Sequence, residues 1–556
     1  MSASSKKKLR KENAAAQMTE KQRKEQAEAK KLRNISIAFV VIMIVVALSA
    51  ASILAIRAVN NSGVIDRNTQ AAVTGTHELN SVQMNYYLID YVSGVYKDWK
   101  DEYGSYLSTY VQYLFGLDVN KALDKQDYSK TETWADYFMK GAYEKAKNDY
   151  ALYDAAMAED FKLSKEDQAS LDSTKQMMEI YAMYYGYANA DKYLQANYGY
   201  GADLDSYMEY SRVVAIANAY YNQHKDSLTY DDAAIREYEK DKFNNYSSFS
   251  FATYYLSGTK FLVGGTKDDK GNTTYSDAEK DAALKEALNV ANTLAQSASL
   301  EELDKAIAAL PMNKDEKEGS SALATSKSTS VLYTSISSVL QGWLADENRV
   351  ENEIGVVADE IKTTDADGTE TTTVNGYYVI VFQGRNDNLR PLANVRHILV
   401  QFQGGTTGSD GNKVYSDAEK AAAKADAEKL LNIWKSGTAT EETFIAMVKE
   451  YSDDNTENGG LYEDIHAASG YVDTFKNWAI DPDRKTGDTD IIISEYGYHI
   501  MYYVGDGDMT YRDYMISEDL RAADQEKWYD AICDAASITV LKTNRLNTDI
   551  VLAYMG

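Results

Sequence analysis

A gapless internal repeat determines the domain organisation of this chain. Residues 264–280 read GGTKDDKGNTTYSDAEK and residues 404–420 read GGTTGSDGNKVYSDAEK, with eleven of seventeen positions identical. In each copy an apolar run of strand type precedes the glycine-rich loop, and an alanine-rich run of helical type follows it. Each copy closes on a strand led by an aromatic turn, NGYYVIVFQG at 375–384 and YGYHIMYYVG at 496–505. Duplication of the linker alone would not produce these matching end strands, so the sequence predicts two α+β domains in tandem.

The second constraint is an uncharged apolar segment near the N-terminus. It runs for 22 residues, from Ile35 to Ile56. About 20 apolar residues cross the hydrocarbon core of a bilayer as a helix. The run exceeds the ~7–15 residues of a signal-peptide core, although its alanine-rich end leaves cleavage open, and a buried core helix is the other alternative. The segment therefore predicts a transmembrane helix at 34–57.

Charge changes sign across this segment. Residues 1–33 hold eleven Lys or Arg and four Asp or Glu, a net of +7, whereas the whole chain carries −27, so that the remainder carries −34. Because basic flanks stay on the cytoplasmic side, we expect a cytoplasmic basic head at 1–33 and an extracytoplasmic body. The acidic body lacks the basic surface that nucleic-acid binding requires, which excludes nucleic acid as a partner.

The residue inventory limits the kinds of site that can form. Cys533 is the only cysteine, so the chain has neither an internal disulfide nor a cysteine-based zinc site, and its place in a helical pattern favours a buried side chain. The sequence has no phosphate-binding loop, dinucleotide fingerprint or H-E-x-x-H motif. The Asp-rich loops of the two repeats do not fit the EF-hand pattern and are typical of solvated turns. We expect no metal site and no cofactor.

Residues 76–246 are predicted to form about five or six helices. Aromatic and aliphatic side chains recur there at spacings of three and four, as between Trp134 and Tyr153. Many of the 45 tyrosines lie in this region. An aromatic stripe at helical spacing usually packs in a core, and the alternative is a cradle for unfolded peptides. Residues 509–535 add a further helical pattern, and 537–541 a strand.

The second repeat contains the residues suited to chemistry. Five motifs follow in order: VRHILV at 395–400, FIAMVKEYSDD at 444–454, NGGLYED at 458–464, GYVDTF at 470–475 and SEYGYHI at 494–500. This order closely resembles the parvulin family of peptidyl-prolyl cis-trans isomerases. A single histidine is more typical of a hydrogen-bonded core residue, but here two histidines fall in two separate motifs of the family.

The resemblance implies a catalytic set and a substrate pocket. The catalytic positions are His397, Asp454, Ser494 and His499, and the pocket positions are Val472 and Phe475. Val472 replaces a Met or Leu of the family after a one-residue shortening, a departure that changes the shape of the pocket. Rotation about an X–Pro bond breaks no covalent bond and faces a barrier of ~18–20 kcal/mol. An enzyme needs only to bind the twisted amide better than either planar form.

The first repeat lacks these residues. Tyr254 lies near the His397 position and Tyr378 lies at the His499 position, and the repeat contains no histidine. The YSDD turn and the GGL loop are missing as well. We therefore expect a degenerate parvulin-like domain that keeps the fold without the histidine-based site.

The order of segments resembles that of PrsA-type extracytoplasmic foldases and SurA-type chaperones, in which a C-terminal helix returns to a helical domain. The predicted fold class is α+β. The predicted segments are a cytoplasmic head at 1–33, a transmembrane helix at 34–57, a helical domain at 58–247, a degenerate parvulin-like domain at 248–386, a parvulin domain at 390–506, and a C-terminal helix and strand at 507–556 that pack on the helical domain.

The predicted function is that of a single-pass, membrane-anchored extracytoplasmic peptidyl-prolyl isomerase and folding chaperone. The expected partners are the membrane and unfolded or partly folded secreted polypeptides with X–Pro bonds. Two alternatives stay open: a holdase chaperone with little isomerase activity, and a surface interaction protein. The sequence leaves the client proteins, the residue preferred before proline and the oligomeric state undetermined.

Overall fold

The chain divides into two units. The computed structural model describes residue 6, residues 20–104, 107–267, 270–364, 368–408, 411–454 and 456–543, and residue 546. One unit comprises residues 1–228 with 523–556, and the other comprises residues 229–522. Helices and antiparallel sheets both occur, so the predicted α+β class is confirmed.

The N-terminal helix α1, Glu20–Asn61, contains the predicted membrane segment. Its residues 41–61 are long and apolar enough to cross a membrane, with a mean hydropathy of 2.4 and no buried side chains. A helix of this kind near an N-terminus serves as a membrane anchor or as a signal sequence. Residues 1–5 and 7–19 of the predicted basic head lie outside the described residues.

The first unit combines helices with a three-stranded antiparallel sheet. The sheet has β1 (Gln70–Thr74) in the middle, between β2 (His77–Asn80) and β15 (Ile538–Val540). The helices that follow α1 are α2 (Val64–Asn68), α3 (Ser81–Tyr103), α4 (Leu107–Phe115), α5 (Trp134–Ala158), α6 (Lys165–Tyr184), α7 (Ala190–Tyr198) and α8 (Leu204–Ser227). With α9 (Asp232–Glu239) of the second unit, the described part of 76–246 has seven α-helices, more than the five or six predicted, because short helices such as α4 give little periodicity.

Tyrosines form much of the core of the first unit. Tyr86, Tyr87 and Tyr210 are buried, and the Tyr210 ring centroid lies 5.4 Å from that of Tyr86 and 4.9 Å from that of Tyr87. The prediction that the aromatic stripe packs in a core is confirmed for these residues. Cys533 is buried too, as predicted, and its burial raises the pKa of the thiol.

The second unit contains two four-stranded antiparallel sheets. The first has the order β6-β3-β8-β7, and we call its elements the first module. These are β3 (Ser248–Ser257), β4 (Thr266–Lys267), β5 (Thr273–Thr274), α10 (Asp277–Leu294), α11 (Leu300–Ala308), β6 (Ser326–Leu332), α12 (Ser338–Leu344), β7 (Ile354–Thr364) and β8 (Glu370–Asn386).

The second sheet has the order β12-β9-β14-β13, and we call its elements the second module. These are β9 (Pro391–Gln401), β10 (Thr406–Thr407), β11 (Lys413–Val414), α13 (Asp417–Ser436), α14 (Glu441–Tyr451), β12 (Leu461–Ile465), α15 (Asp473–Ala479), β13 (Thr489–Ile493) and β14 (Gly497–Thr510). Helix α16 (Tyr511–Asp534) follows β14.

The repeated sequence has the same local structure in both modules. Ser276 and Glu279 form a capping box at the start of α10, and Ser416 and Glu419 form one at the start of α13. Each glutamate also accepts the backbone N–H of the second loop glycine, at 2.9 Å in both modules. These N–H groups lower the pKa of both carboxyls. The identical residues of the repeat therefore close the glycine-rich loop onto the helix.

Candidate active site

Two buried histidines face each other on adjacent central strands of the second module. In the β9–β14 register Leu399 lies opposite His499, and Met501 lies opposite His397. The two histidines are therefore diagonal neighbours on one face of the sheet. Their Nδ1 atoms lie 3.0 Å apart, and their exposed fractions are 2% and 5%. The structure thus brings together two residues that are 102 positions apart in sequence.

The YSDD turn holds Asp454 against His397. The Ser452 hydroxyl accepts the backbone N–H of Leu399 at 3.1 Å, and the Asp453 carboxylate accepts that of Gln401 at 2.9 Å. These bonds tie the turn to the end of β9. Asp454, the next residue, places Oδ2 at 3.0 Å from Nε2 of His397. The supporting roles of Ser452 and Asp453 were not predicted, because they depend on the neighbouring strand.

The paired glycines before β12 allow the backbone to pass close to His397. Gly459 and Gly460 have φ angles of 68° and 66°. A Cβ atom on Gly460 would lie 2.6 Å from the carbonyl oxygen of His397. The His397 N–H donates to the Gly460 carbonyl oxygen at 3.1 Å. Glycine is required here by both backbone conformation and space.

A chain of hydrogen bonds connects the catalytic candidates. Ser494 Oγ lies 2.7 Å from Nε2 of His499, and the Tyr462 hydroxyl donates to Oδ2 of Asp454 at 2.8 Å. An ionised Asp454 can only accept, so Nε2 of His397 is the donor to it. The two Nδ1 atoms share one further hydrogen bond, and Ser494 Oγ and His499 Nε2 share another. The carboxylate thereby places a proton on Nε2 of His397.

Burial keeps His499 neutral. Desolvation lowers its pKa to about 4, and the neighbouring His397 adds to this effect, whereas Asp454 opposes it. The site is therefore a fixed network of polar groups around one carboxylate. Among the residues that the structure describes, no group of three or more His, Cys, Asp or Glu side chains is arranged to hold a metal ion.

An apolar cavity of about 320 Å³ opens beside this network. Phe475, only 3% exposed, places its ring centroid 5.2 Å from that of His397 and 5.8 Å from that of His499. Val472 lies at the start of α15 and also lines the cavity. Its remaining lining residues are His397, Leu399, Gln401, Asp454, Tyr462, Gly470, Tyr471, Tyr496 and His499. The six predicted site residues thus lie together: four form the hydrogen-bond chain, and all except Ser494 line the cavity.

Tyr462 is a site residue that the sequence analysis missed. It follows the GGL loop and pairs with Val395 in the sheet, which puts it on the face of His397. The period-two pattern of β12 was the available signal, because alternate residues of a strand share one face, whereas the face that meets His397 depends on the register with β9.

The first module has other residues at the positions of the site. Its central register pairs Ser257 with Gly376, as Gln401 pairs with Gly497 in the second module. Counting along the strands from these pairs, Tyr378 occupies the place of His499, as predicted. Thr253, and not Tyr254, occupies the place of His397. Tyr254, which was predicted to lie near that position, is the next residue along the strand and therefore points to the opposite face of the sheet.

A family model supports this description. The model described as a PPIC-type PPIASE domain matches residues 379–504. This segment is therefore a parvulin-type peptidyl-prolyl isomerase domain, so the predicted family and enzyme class are confirmed at the level of the domain. No curated protein matches the sequence.

Several solved structures are similar to part of the chain. PrsA, a peptidylprolyl isomerase, from Bacillus anthracis is 21% identical over 27% of this chain and 59% of its own, with a TM-score of 0.17. PrsA from Bacillus cereus is 22% identical over 29% and 57%, and PrsA from Bacillus subtilis is 23% identical over 28% and 54%, both with TM-scores of 0.17. The chain covers less than two thirds of each of these proteins, and the assignment of residues 379–504 rests on the family model.

Proposed function

We propose that the chain catalyses cis–trans isomerisation of X–Pro bonds in polypeptides at the second module. The observation that carries this proposal is the apolar cavity beside the buried pair His397 and His499. Phe475 and Val472 would hold the proline ring, while the hydrogen-bond chain from Asp454 to Ser494 borders the amide. Catalytic roles for His397, Asp454, His499 and Ser494 are part of this proposal.

Stabilisation of the twisted amide needs no covalent step. A planar amide owes its barrier to resonance, which places partial negative charge on the carbonyl oxygen. A carboxylate facing that oxygen in an apolar cavity disfavours the planar form more than the twisted one, since twisting reduces the partial negative charge on the oxygen. Asp454 is the carboxylate in the cavity wall. Because burial lowers the pKa of His499, that ring adds no positive charge at neutral pH that would oppose this effect.

The test is isomerisation of a short X–Pro peptide by the purified full chain in detergent. Wild type should accelerate the reaction, and His397→Ala and His499→Ala should lose that acceleration while circular dichroism shows a retained fold. His224→Ala, outside the second module, is the matched control and should keep wild-type activity. A folded wild-type chain without activity would contradict the proposal and favour a holdase.

A chaperone role in the first unit has its own support. A cavity of about 770 Å³ is lined by several tyrosines, among them Tyr91, Tyr137 and Tyr221. Asn148 Oδ1 lies in its wall, buried and without a hydrogen-bond partner among the described residues. Aromatic walls with an unused acceptor suit an unfolded peptide, whose N–H groups are donors. Tyr137→Ser should weaken suppression of client aggregation, whereas Tyr184→Ser, exposed and outside this cavity, should not.

The remaining organisation is proposed as the sequence predicts it. The transmembrane helix at 34–57 would hold the body outside the membrane, where it would act on secreted polypeptides, and the first module would be a degenerate parvulin domain. Labelling by a membrane-impermeant thiol reagent tests the topology in cells. A cysteine introduced at Ser62 should react and one at Ser4 should not. Reaction at Ser4 alone would reverse the proposed orientation.

A further inference from the structure

We propose that Tyr462 is a positioning residue for the isomerase reaction, whose hydroxyl fixes the Asp454 carboxylate between itself and His397. This inference rests on the proposed function of the second module. Tyr462 belongs neither to the predicted catalytic set nor to the predicted pocket.

Two donors converge on one oxygen of the carboxylate. The Tyr462 hydroxyl lies 2.8 Å from Oδ2 of Asp454, and His397 Nε2 lies 3.0 Å from the same atom. The two donors come from adjacent strands, β12 and β9. The Asp454 side chain is 35% exposed, so water competes for its hydrogen bonds, and a second protein donor on Oδ2 restrains rotation of the carboxylate about its side-chain bonds.

The ring of Tyr462 is held as firmly as its hydroxyl. Its centroid lies 5.0 Å from that of His397 and 5.5 Å from that of Phe475, with edge-to-face geometry in both contacts. The ring therefore connects the histidine pair to the proposed proline pocket. Burial and the bond to Asp454 raise the pKa of Tyr462, so the hydroxyl stays protonated and remains a donor at neutral pH.

The local sequence explains how a large residue reaches this place. The paired glycines turn the chain tightly beside His397, and β12 then places Tyr462 opposite Val395, on the face of the site. The hydroxyl thereby comes within hydrogen-bond distance of Asp454, the last residue of the YSDD turn.

The experiment measures kcat and KM of the full chain and of Tyr462→Phe with an X–Pro peptide between pH 5 and 8. Phenylalanine keeps the ring contacts and removes only the hydroxyl. A hydrogen bond to a charged group is lost, so kcat should fall about tenfold. KM should stay within about twofold, because the cavity wall is retained. Tyr462→Ala should raise KM as well, since it removes the wall.

A second readout does not depend on turnover. The ¹⁵N chemical shifts of the His397 ring report which nitrogen bears the proton, and we expect the Nε2–H form in wild type. In Tyr462→Phe the less restrained carboxylate should shift that equilibrium. Tyr498→Phe, on the opposite face of the same sheet, is the matched hydroxyl deletion and should change neither readout. Unchanged His397 shifts together with unchanged kcat in Tyr462→Phe would overturn the inference.

The outcomes separate this inference from the proposed function. An inactive wild type would contradict the isomerase proposal, and the histidine shifts would still decide whether Tyr462 positions Asp454. An active wild type with a Tyr462→Phe variant that matches it in both readouts would contradict the inference alone.

Discussion

The two modules of the second unit share a strand order and a register, and they differ in the residues at the two positions where the second module has histidines. Both sheets have the same strand order, and in both a glycine of the closing strand pairs with the end of the opening strand. On that common register the second module has His397 and His499, whereas the first has Thr253 and Tyr378. The comparison shows that strand order and register can be kept while the residues proposed to be catalytic are replaced.

A repeated corner supports the framework in both modules. The Arg349 guanidinium lies 3.9 Å from the Trp343 ring centroid and pairs with Asp346. In the second module Arg484 lies 4.2 Å from the Trp478 ring centroid and pairs with Asp481. Each arginine also donates to the backbone carbonyl of its tryptophan. The corresponding W-x-x-D-x-x-R pattern recurs in the sequence with identical spacing in the two modules.

The largest expected difference between the modules is their response to acid. The pKa of His499 is about 4 in the folded protein against its usual 6.5, so the unfolded state binds more protons between these values. The contribution of His499 to the free energy of unfolding of the second module is therefore fully present above about pH 6.5. It falls by about 3 kcal/mol as the pH drops to 4. Hydrogen exchange, corrected for intrinsic rates, should show this loss in β9 and β14 amides. His499→Gln should remove it, and an equal loss in β3 and β8 would contradict the assignment.

Replacing His397 by the residue of the first module should abolish most of the proposed activity. His397→Thr leaves Asp454 and His499 without their shared partner. His499 is buried, and an unsatisfied buried polar group costs about 1–3 kcal/mol, which corresponds to a loss of about 5- to 150-fold in kcat/KM. Thr253→Ala in the first module is the matched control and should leave the rate of peptide isomerisation unchanged. Retained activity in His397→Thr would show that the histidine pair is dispensable.

A smaller effect is expected for Phe475 in α15, whose place in the first module is taken by Leu340 in α12. Phe475→Leu reduces apolar contact with the substrate ring by roughly 1 kcal/mol, so KM should rise about fivefold with kcat little changed. Leu340→Ala tests the other side of the comparison, because it should lower stability without changing the kinetics. A fall in kcat for Phe475→Leu with an unchanged KM would contradict a role in binding the substrate.

The smallest effect should be equal in the two modules. Ser276→Ala and Ser416→Ala each remove the N-cap of the helix after the repeated loop, at a cost of about 1 kcal/mol. Because the hydrogen bonds of the two capping boxes match, the exchange-derived destabilisation of α10 and α13 should agree closely. A large difference between the helices would mean that the repeated sequence does not support the two modules alike.

Most of the fold could be predicted because its signals are local. The two copies of GG…YSDAEK indicate the same loop and helix twice, since capping and left-handed glycines involve residues only a few positions apart. The helical region followed from periodicity, although its short helices were undercounted. The predicted domain boundaries and the roles of the site residues stay predictions.

The sequence by itself determined the α+β class, the apolar N-terminal helix, the parvulin-type segment and the identity of the two histidines. Tertiary structure alone decided how these side chains meet. Asp454 and His397 are 57 positions apart, and their contact with Tyr462 depends on strand register and on the turn held by Ser452. Local patterns report what a residue's neighbours in sequence require. Hydrogen bonds across a sheet depend on distances that only the folded register creates.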